Sequence, residues 1–198
     1  MTENEASYDK IANVWDQVRK PFVDPMIQRL VKNLEQGSKI LDVGCGTGYP
    51  VAKYLSEKGF YVTGIDISEK MIIKAKGLNL AHATFEKQEI LSYQTDQLFE
   101  AVIAFDSLFH IPLCYQKDIY PKIASLLLPG GFFLFTHGKV KGSVQGEMLG
   151  SLFTYSALDL DEVVNLLEKN GFKIIKLEED YQSEESGTRD LIVMAQKV

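Results

Sequence analysis

The segment Leu41-Asp-Val-Gly-Cys-Gly-Thr-Gly-Tyr49 constrains the fold more than any other part of the chain. An apolar strand pattern runs straight into glycines at 44, 46 and 48 and then into a helical pattern. Without a Cβ, these glycines let backbone approach a ligand closely at the carboxyl end of the strand, and the helix behind them points unpaired N–H groups at the same place. A nucleotide-like ligand is the natural occupant. The next strand pattern ends in Gly64-Ile-Asp66, so Asp66 follows Gly44 by 22 positions, close to the spacing at which a carboxylate holds ribose hydroxyls.

The surrounding sequence supplies the rest of such a sheet. Strand patterns over 39–43, 60–65, 83–85, 101–105 and 131–136 alternate with helical patterns near 50–58, 68–76 and 115–128, which predicts a parallel sheet. Two amphipathic patterns come first: Tyr8, Ile11, Ala12 and Trp15, then Ile27, Leu30, Val31 and Leu34, each at helical spacing. Asp24 and Pro25 stand where an N-cap and a first-turn proline belong, and Gly37 where a helix stops. A polar, glycine-rich stretch covers 138–150, and Leu160, Val163, Val164 and Leu167 mark a last helix ending at Asn170-Gly171. The closing strand patterns, 172–177 and 191–196, have no helix between them. They predict an antiparallel pair at a sheet edge, joined by an acidic connection over 178–185 read as a solvated turn. Pro121, inside the 115–128 pattern, marks a kink or a fresh helix start. One domain over 1–198 is the expected organisation.

Composition narrows the function classes. At 45% hydrophobic and 24% charged residues the chain is globular rather than disordered or fibrous. With 27 acidic against 21 basic residues it carries a net charge of −6 and no Lys/Arg cluster, which disfavours nucleic acid, whose binding rests on neutralised phosphates. No apolar run approaches the ~18 residues of a membrane span. The start, MTENEASYDK, has no basic region leading into an apolar stretch, so a cytoplasmic protein without membrane contact is expected. Cys45 and Cys114 form no CxxC spacing, and no His or Cys cluster implies a metal.

A dinucleotide fingerprint, GxGxxG, requires a small residue where Tyr49 stands. Asp42, beside the loop, would repel a pyrophosphate and attract an ammonium or sulfonium group. Both features point away from an NAD(P)-dependent oxidoreductase.

On these residues the chain resembles the class I S-adenosylmethionine-dependent methyltransferases. LDVGCGTG at 41–48 matches the family's glycine motif, Gly64-Ile-Asp-Ile-Ser68 its second-strand motif, and Leu127-Leu-Pro-Gly-Gly131 the turn before its fifth strand. The resemblance implies a Rossmann-like α/β fold: a seven-stranded, mostly parallel sheet in the order 3-2-1-4-5-7-6, strand 7 antiparallel, with helices on both faces. It implies S-adenosyl-L-methionine as methyl donor, S-adenosyl-L-homocysteine as product and a small-molecule acceptor. Carried over by position, the backbone at Gly44, Cys45, Gly46 and Gly48 would line the methionine part, with Asp42 near its amino group. Asp66 would grip the ribose, and Ile67, Glu89, Ile90 and Phe105 complete the cofactor-binding set. Glu89 is a departure, because the family usually has Asp there to accept from the adenine amino group. That role is kept by a shifted loop or passes to the backbone of Ile90 or the amide of Gln88. The N-terminal helices within 1–37 would cap the site, and 138–157 would cover the substrate. Phe105-Asp-Ser-Leu stands where the amino-methylating DNA enzymes carry a DPPY-like tetrapeptide.

Methyl transfer is an in-line displacement at carbon, so alignment and water exclusion come first, and a base is needed only for acceptors that lose a proton. His110, in the 105–112 segment where donor and acceptor would meet, is the candidate base, against a loop-shaping role. His82 reads as an edge residue; His137 reads as either a pocket or a buried packing group. Tyr8 and Trp15 read as core-facing, with a lid as the alternative, and Cys45 and Cys114 read as packing residues. A non-catalytic nucleoside-binding regulatory protein stays open beside the enzyme, because a fold and a cofactor loop do not establish turnover.

Overall fold

The computed structural model describes residues 3–198. Helices α1 (Glu3–Val18) and α2 (Pro25–Val31) lead into β1 (Lys39–Val43), α3 (Val51–Glu57), β2 (Tyr61–Asp66), α4 (Glu69–Gly77), β3 (Ala83–Lys87) and β4 (Phe99–Ala104). Two short 3₁₀ turns, Leu108–His110 and Leu113–Tyr115, precede α5 (Gln116–Leu126) and β5 (Leu127–His137). The chain continues through β6 (Gly142–Met148), β7 (Ser151–Ala157), α6 (Leu160–Lys169), β8 (Phe172–Ser183) and β9 (Gly187–Lys197).

The main sheet runs β3-β2-β1-β4-β5-β9-β8, with β6 and β7 paired separately. With that hairpin left out of the count, the order is the 3-2-1-4-5-7-6 that the resemblance implies. β1 to β5 are parallel, and β9 is antiparallel to both β5 and β8. The order reverses between β1 and β4, which opens a crevice at their carboxyl ends.

Period-two alternation splits the core between the faces of the sheet. Leu41, Val102, Phe133, Phe135 and Val193 pack on α5 and α6 through Ile119, Ile123, Val163 and Leu167. Ile40, Ile103, Leu134, Ile192 and Met194 pack on α2, α3 and α4 through Ile27, Leu30, Leu55 and Ile72. Each such side chain, fully buried, contributes about 1.5–3 kcal/mol. A separate small cluster joins Ile11 and Ala12 of α1 to Met71 of α4 and Phe153 of β7, and it fastens the first helix to that helix and to the hairpin. No described helix is long and apolar enough to cross a membrane.

Local signals act where the sequence places them. Asp24 Oδ1 accepts from Met26 N at 2.7 Å at the start of α2, and Asp159 and Glu162 form a capping box on α6. Other expectations are corrected. The stretch over 138–157 is not an irregular loop: it pairs as an antiparallel hairpin with Gly142 opposite Ala157, a pattern that its glycines and polar residues hide. The acidic connection is mostly strand, since β8 runs to Ser183 and only residues 184–186 turn. The Tyr181 hydroxyl, anchored on buried Asp24 at 2.9 Å, holds the strand there. α5 passes through Pro121, which lies on its exposed face. Cys114 is exposed rather than packed, because its 3₁₀ turn faces outward.

Candidate functional site

A cavity of about 710 Å³ opens at the carboxyl ends of β1, β2 and β4, within the range of small-molecule sites. Its floor is the glycine loop. Gly44 has φ +76°, and a Cβ there would sit 2.3 Å from Ser107 Cβ, so only glycine lets the β1 and β4 loops approach this closely. Gly48, expected to line the ligand, does not border the cavity: with φ +75° it packs behind the loop against the Phe85 ring, where a Cβ would crowd Phe85 and Leu78. Gly46 N donates to Asp66 Oδ2 at 2.9 Å, and Ser68 N donates to Asp66 Oδ1 at 2.8 Å, which fixes the carboxylate at the end of β2. A carboxylate has about four lone-pair sites, more than its backbone donors occupy. Burial pushes Asp66 up to about 6, while the Ser68 and Gly46 amides pull the other way.

Asp42 is the floor's unsatisfied charge. Its Oδ2 is buried without a hydrogen-bond partner, alone in this respect among the described residues. Burial, helped by the Asp66 charge and opposed by Arg19, pushes its carboxyl up to about 7. A buried acceptor left unpaired costs about 1–3 kcal/mol, and a cationic donor above it would recover that cost.

The remaining expected residues are all in the wall. Cys45, Ile67, Ile90 and Phe105 line the cavity. Cys45 is buried and its thiol is raised well above the ordinary range by burial, so the side chain packs and is no nucleophile. Glu89 also lines the cavity, with its carboxylate folded onto its own loop: Oε1 accepts from Leu91 N and Oε2 from Ser92 N, each at 3.1 Å. The Gln88 amide, on the same rim, has no protein partner among the described residues.

The cover comes from α1. Tyr8, Trp15 and Arg19 line the cavity, so this face of α1 borders the cavity rather than the sheet core. Helical spacing marks a buried face without saying what buries it, and here that face closes over a cavity. Polar ties hold α1 down. Ser68 Oγ donates to Asp9 at 2.6 Å, Thr47 Oγ1 donates to Asp16 at 2.5 Å, and Ser7 Oγ donates to the Leu152 carbonyl at 2.6 Å. Trp15 and Arg19 stack at 4.9 Å.

His110 sits beneath this cover. Its Nε2 is 2.7 Å from the Tyr8 hydroxyl and its Nδ1 is 3.2 Å from the Thr154 carbonyl. Burial holds its pKa down to about 4. His137 is tied up elsewhere: its Nε2 is 3.0 Å from Gln116 Oε1 and its Nδ1 is 2.6 Å from the Gly138 carbonyl, which makes it a packing group away from this cavity. His82 lies edge-on to Tyr61 at the sheet margin.

Sequence reasoning missed two residues. Arg19 follows Trp15 by one helical turn, and that spacing was the available signal. Asp106, with φ +58°, receives Arg189 through both oxygens at 2.6 and 2.8 Å and Arg19 at 3.6 Å. A sequence gives no sign of a partner 83 positions away.

The methyltransferase-domain family matches residues 15–177. The chain is 31% identical over 151 residues to a ubiquinone biosynthesis O-methyltransferase of Bordetella avium, covering 67% of this chain and 61% of that one. It is 36% identical over 106 residues to squalene methyltransferase 1 of Botryococcus braunii, covering 50% of this chain but 28% of the relative. The chain thus spans 61% and 28% of these relatives' own length, less than two thirds of either. Among solved structures, a Burkholderia thailandensis 1,6-didemethyltoxoflavin-N1-methyltransferase, crystallised with its acceptor and S-adenosylhomocysteine, superimposes with a TM-score of 0.73. It does so at 20% identity, over 98% of this chain and 84% of that one. The chain belongs to the methyltransferase-domain family.

Proposed function

We propose that this chain transfers a methyl group from S-adenosylmethionine to a small-molecule acceptor and leaves S-adenosylhomocysteine. The observation that carries this reading is the unpartnered, buried Asp42 Oδ2 under a loop that only glycine can form. Such a floor suits an ammonium or sulfonium ligand and repels a diphosphate. When bound, the donor supplies a methyl group already activated by positive sulfur.

The residues divide the remaining work. Asp42 receives the donor's α-ammonium, and Arg19, whose guanidinium has Asp106 at 3.6 Å as its one charged partner among the described residues, faces its α-carboxylate. Asp66 accepts from the ribose hydroxyls with the lone pairs that Gly46 and Ser68 leave free. Gln88 and the Ile90 backbone serve the adenine edge, since Glu89 is spent on its own turn. Tyr8 and Trp15 exclude water above the reacting carbon, which keeps the displacement in line and dry. Small acceptors fit the enclosed cavity, and the named relatives act on such molecules.

Calorimetric titration with S-adenosylmethionine, S-adenosylhomocysteine and NAD tests the donor. Binding of the first two and none of NAD is expected; tighter NAD binding would reverse the assignment. Homocysteine-coupled assays over an acceptor panel then test turnover, and silence despite tight donor binding would favour a regulatory binder.

A further inference from the structure

Tyr8 on α1 and His110 after β4 are 102 positions apart, and both line the cavity. Resting on the methyl-transfer reading above, we propose that Tyr8 and His110 form a proton relay. Tyr8 takes the proton of an acceptor hydroxyl or amine and passes its own to His110, so the acceptor is a molecule that loses a proton when methylated.

The hydrogen-bond network accommodates the tautomer that a relay needs. His110 Nδ1 faces the Thr154 carbonyl at 3.2 Å, a group that can only accept. The Asn4 amide also approaches Nδ1 at 3.2 Å, but its orientation is set by Thr154 N, which donates to Asn4 Oδ1 at 2.9 Å. The two Asn4 N–H groups go to the Thr154 carbonyl at 2.9 Å and the His110 carbonyl at 3.2 Å. With Asn4 spent on the two carbonyls, the relay has Nδ1 carry the ring hydrogen while Nε2 keeps its lone pair for the Tyr8 hydroxyl at 2.7 Å. The phenol oxygen then has lone pairs left for a ligand in the cavity.

The step balances. The acceptor's X–H bond breaks toward the Tyr8 oxygen while the Tyr8 O–H hydrogen passes to His110 Nε2. The electron pair on X forms the bond to the methyl carbon, and the pair of the breaking C–S bond stays on sulfur. Tyr8 ends neutral, the imidazole ends cationic, and the positive charge lost at sulfur reappears on the ring. The net charge of the site is unchanged, because the cation moves from sulfur to the imidazole. Burial raises the Tyr8 hydroxyl and lowers His110, which keeps both neutral before reaction, while the Asp106 carboxylate favours the imidazolium afterwards.

Three measurements test the relay. In the wild-type protein, ¹⁵N NMR of His110 should show a protonated Nδ1 and a bare Nε2, with the Nε2 signal shifting in Tyr8→Phe; a hydrogen on Nε2 would overturn the proposal without any acceptor in hand. Tyr8→Phe keeps the ring packed on Trp15 and Phe153. On an acceptor found in the panel it should lower kcat about 10²-fold, with acceptor KM and S-adenosylhomocysteine affinity within about threefold of wild type. Tyr8→Phe combined with His110→Asn should be no slower than Tyr8→Phe, as members of one unit behave. A Tyr8→Phe rate near that of wild type, or wild-type turnover confined to tertiary amines and thioethers, sinks the relay and leaves methyl transfer standing. A silent wild type sinks both.

Discussion

The floor of the cavity and its cover are built by opposite means. The floor is local: Gly44, Gly46, Asp66 and Ser68 sit on two adjacent strand ends, and their contacts are backbone amides meeting a carboxylate. The cover is long-range: side chains of α1 reach across the chain, Asn4 to the Thr154 carbonyl, Ser7 to the Leu152 carbonyl and Tyr8 to the His110 ring. A backbone floor recognises the part of the ligand that never changes, while a side-chain cover can be altered residue by residue. Donor affinity should therefore follow the floor, and turnover should follow the cover.

The harshest way to break the floor is Gly44→Ala. The new methyl would lie 2.3 Å from Ser107 Cβ at φ +76°, so the β1 and β4 loops must separate. S-adenosylhomocysteine affinity should fall about 100-fold or more by calorimetry, the scale of several lost hydrogen bonds. Adding Ser107→Gly should recover most of it, short of the ~1–2 kcal/mol that a left-handed alanine costs. Failure of that rescue would mean that the loop, not the clash, was damaged.

The same contrast explains what was legible in the sequence. The strand–helix alternation and the floor were legible because strand periodicity, glycine beside a strand end and a carboxylate at a fixed offset are local patterns, whereas the sheet order came from the family resemblance alone. The hairpin at 142–157 was not, since its pairing shows no apolar alternation that a core imposes: Val144 is exposed while Phe153 is buried opposite Gly146. Tyr8 and Trp15 showed a buried face, but periodicity does not say whether that face meets a core or a ligand. Arg19 offered only its one-turn spacing from Trp15, and Asp106 acts through Arg19 and Arg189, partners distant in the chain that no spacing encodes.

Next in size is Asp66→Ala, which removes the acceptor for Gly46 N and Ser68 N as well as for the ribose. Donor affinity should weaken by about 1.5–3 kcal/mol. Unchanged affinity in a folded variant would remove the ribose assignment and shift the floor's weight to Asp42.

Asp42 ties the floor to pH. Its carboxyl, pushed up to about 7, must be ionised to pair with an ammonium, so donor affinity should rise with pH through that value. The dissociation constant should be roughly tenfold higher at pH 6 than at pH 8, one pH unit below the pKa costing about tenfold. Asp42→Asn should weaken binding and flatten this dependence. Stability of the unliganded protein runs the other way. The folded carboxyl holds its proton more tightly than an unfolded one at 3.8, so stability is lost as pH rises from about 4 to about 7. Asn at position 42 should thus raise Tm at pH 8, even though binding suffers.

The smallest effect belongs to the rim of the cover, at Lys74. Its ammonium meets Asp16 at 3.2 Å, both side chains partly in solvent, and Asp16 also receives Thr47 from the glycine loop. An exposed pair of this kind is worth about 0.2–1 kcal/mol and fades with salt. If the donor leaves by lifting α1, Lys74→Ala weakens the closed state by that amount. S-adenosylhomocysteine should then dissociate roughly 1.5- to 5-fold faster in stopped flow at low salt, and no faster at 1 M salt. Lys53, paired with Glu57 on α3 away from the cover, is the matched control, since its loss removes a similar charge without touching α1. Equal acceleration in both variants would assign the effect to net charge and leave the cover without a part in release.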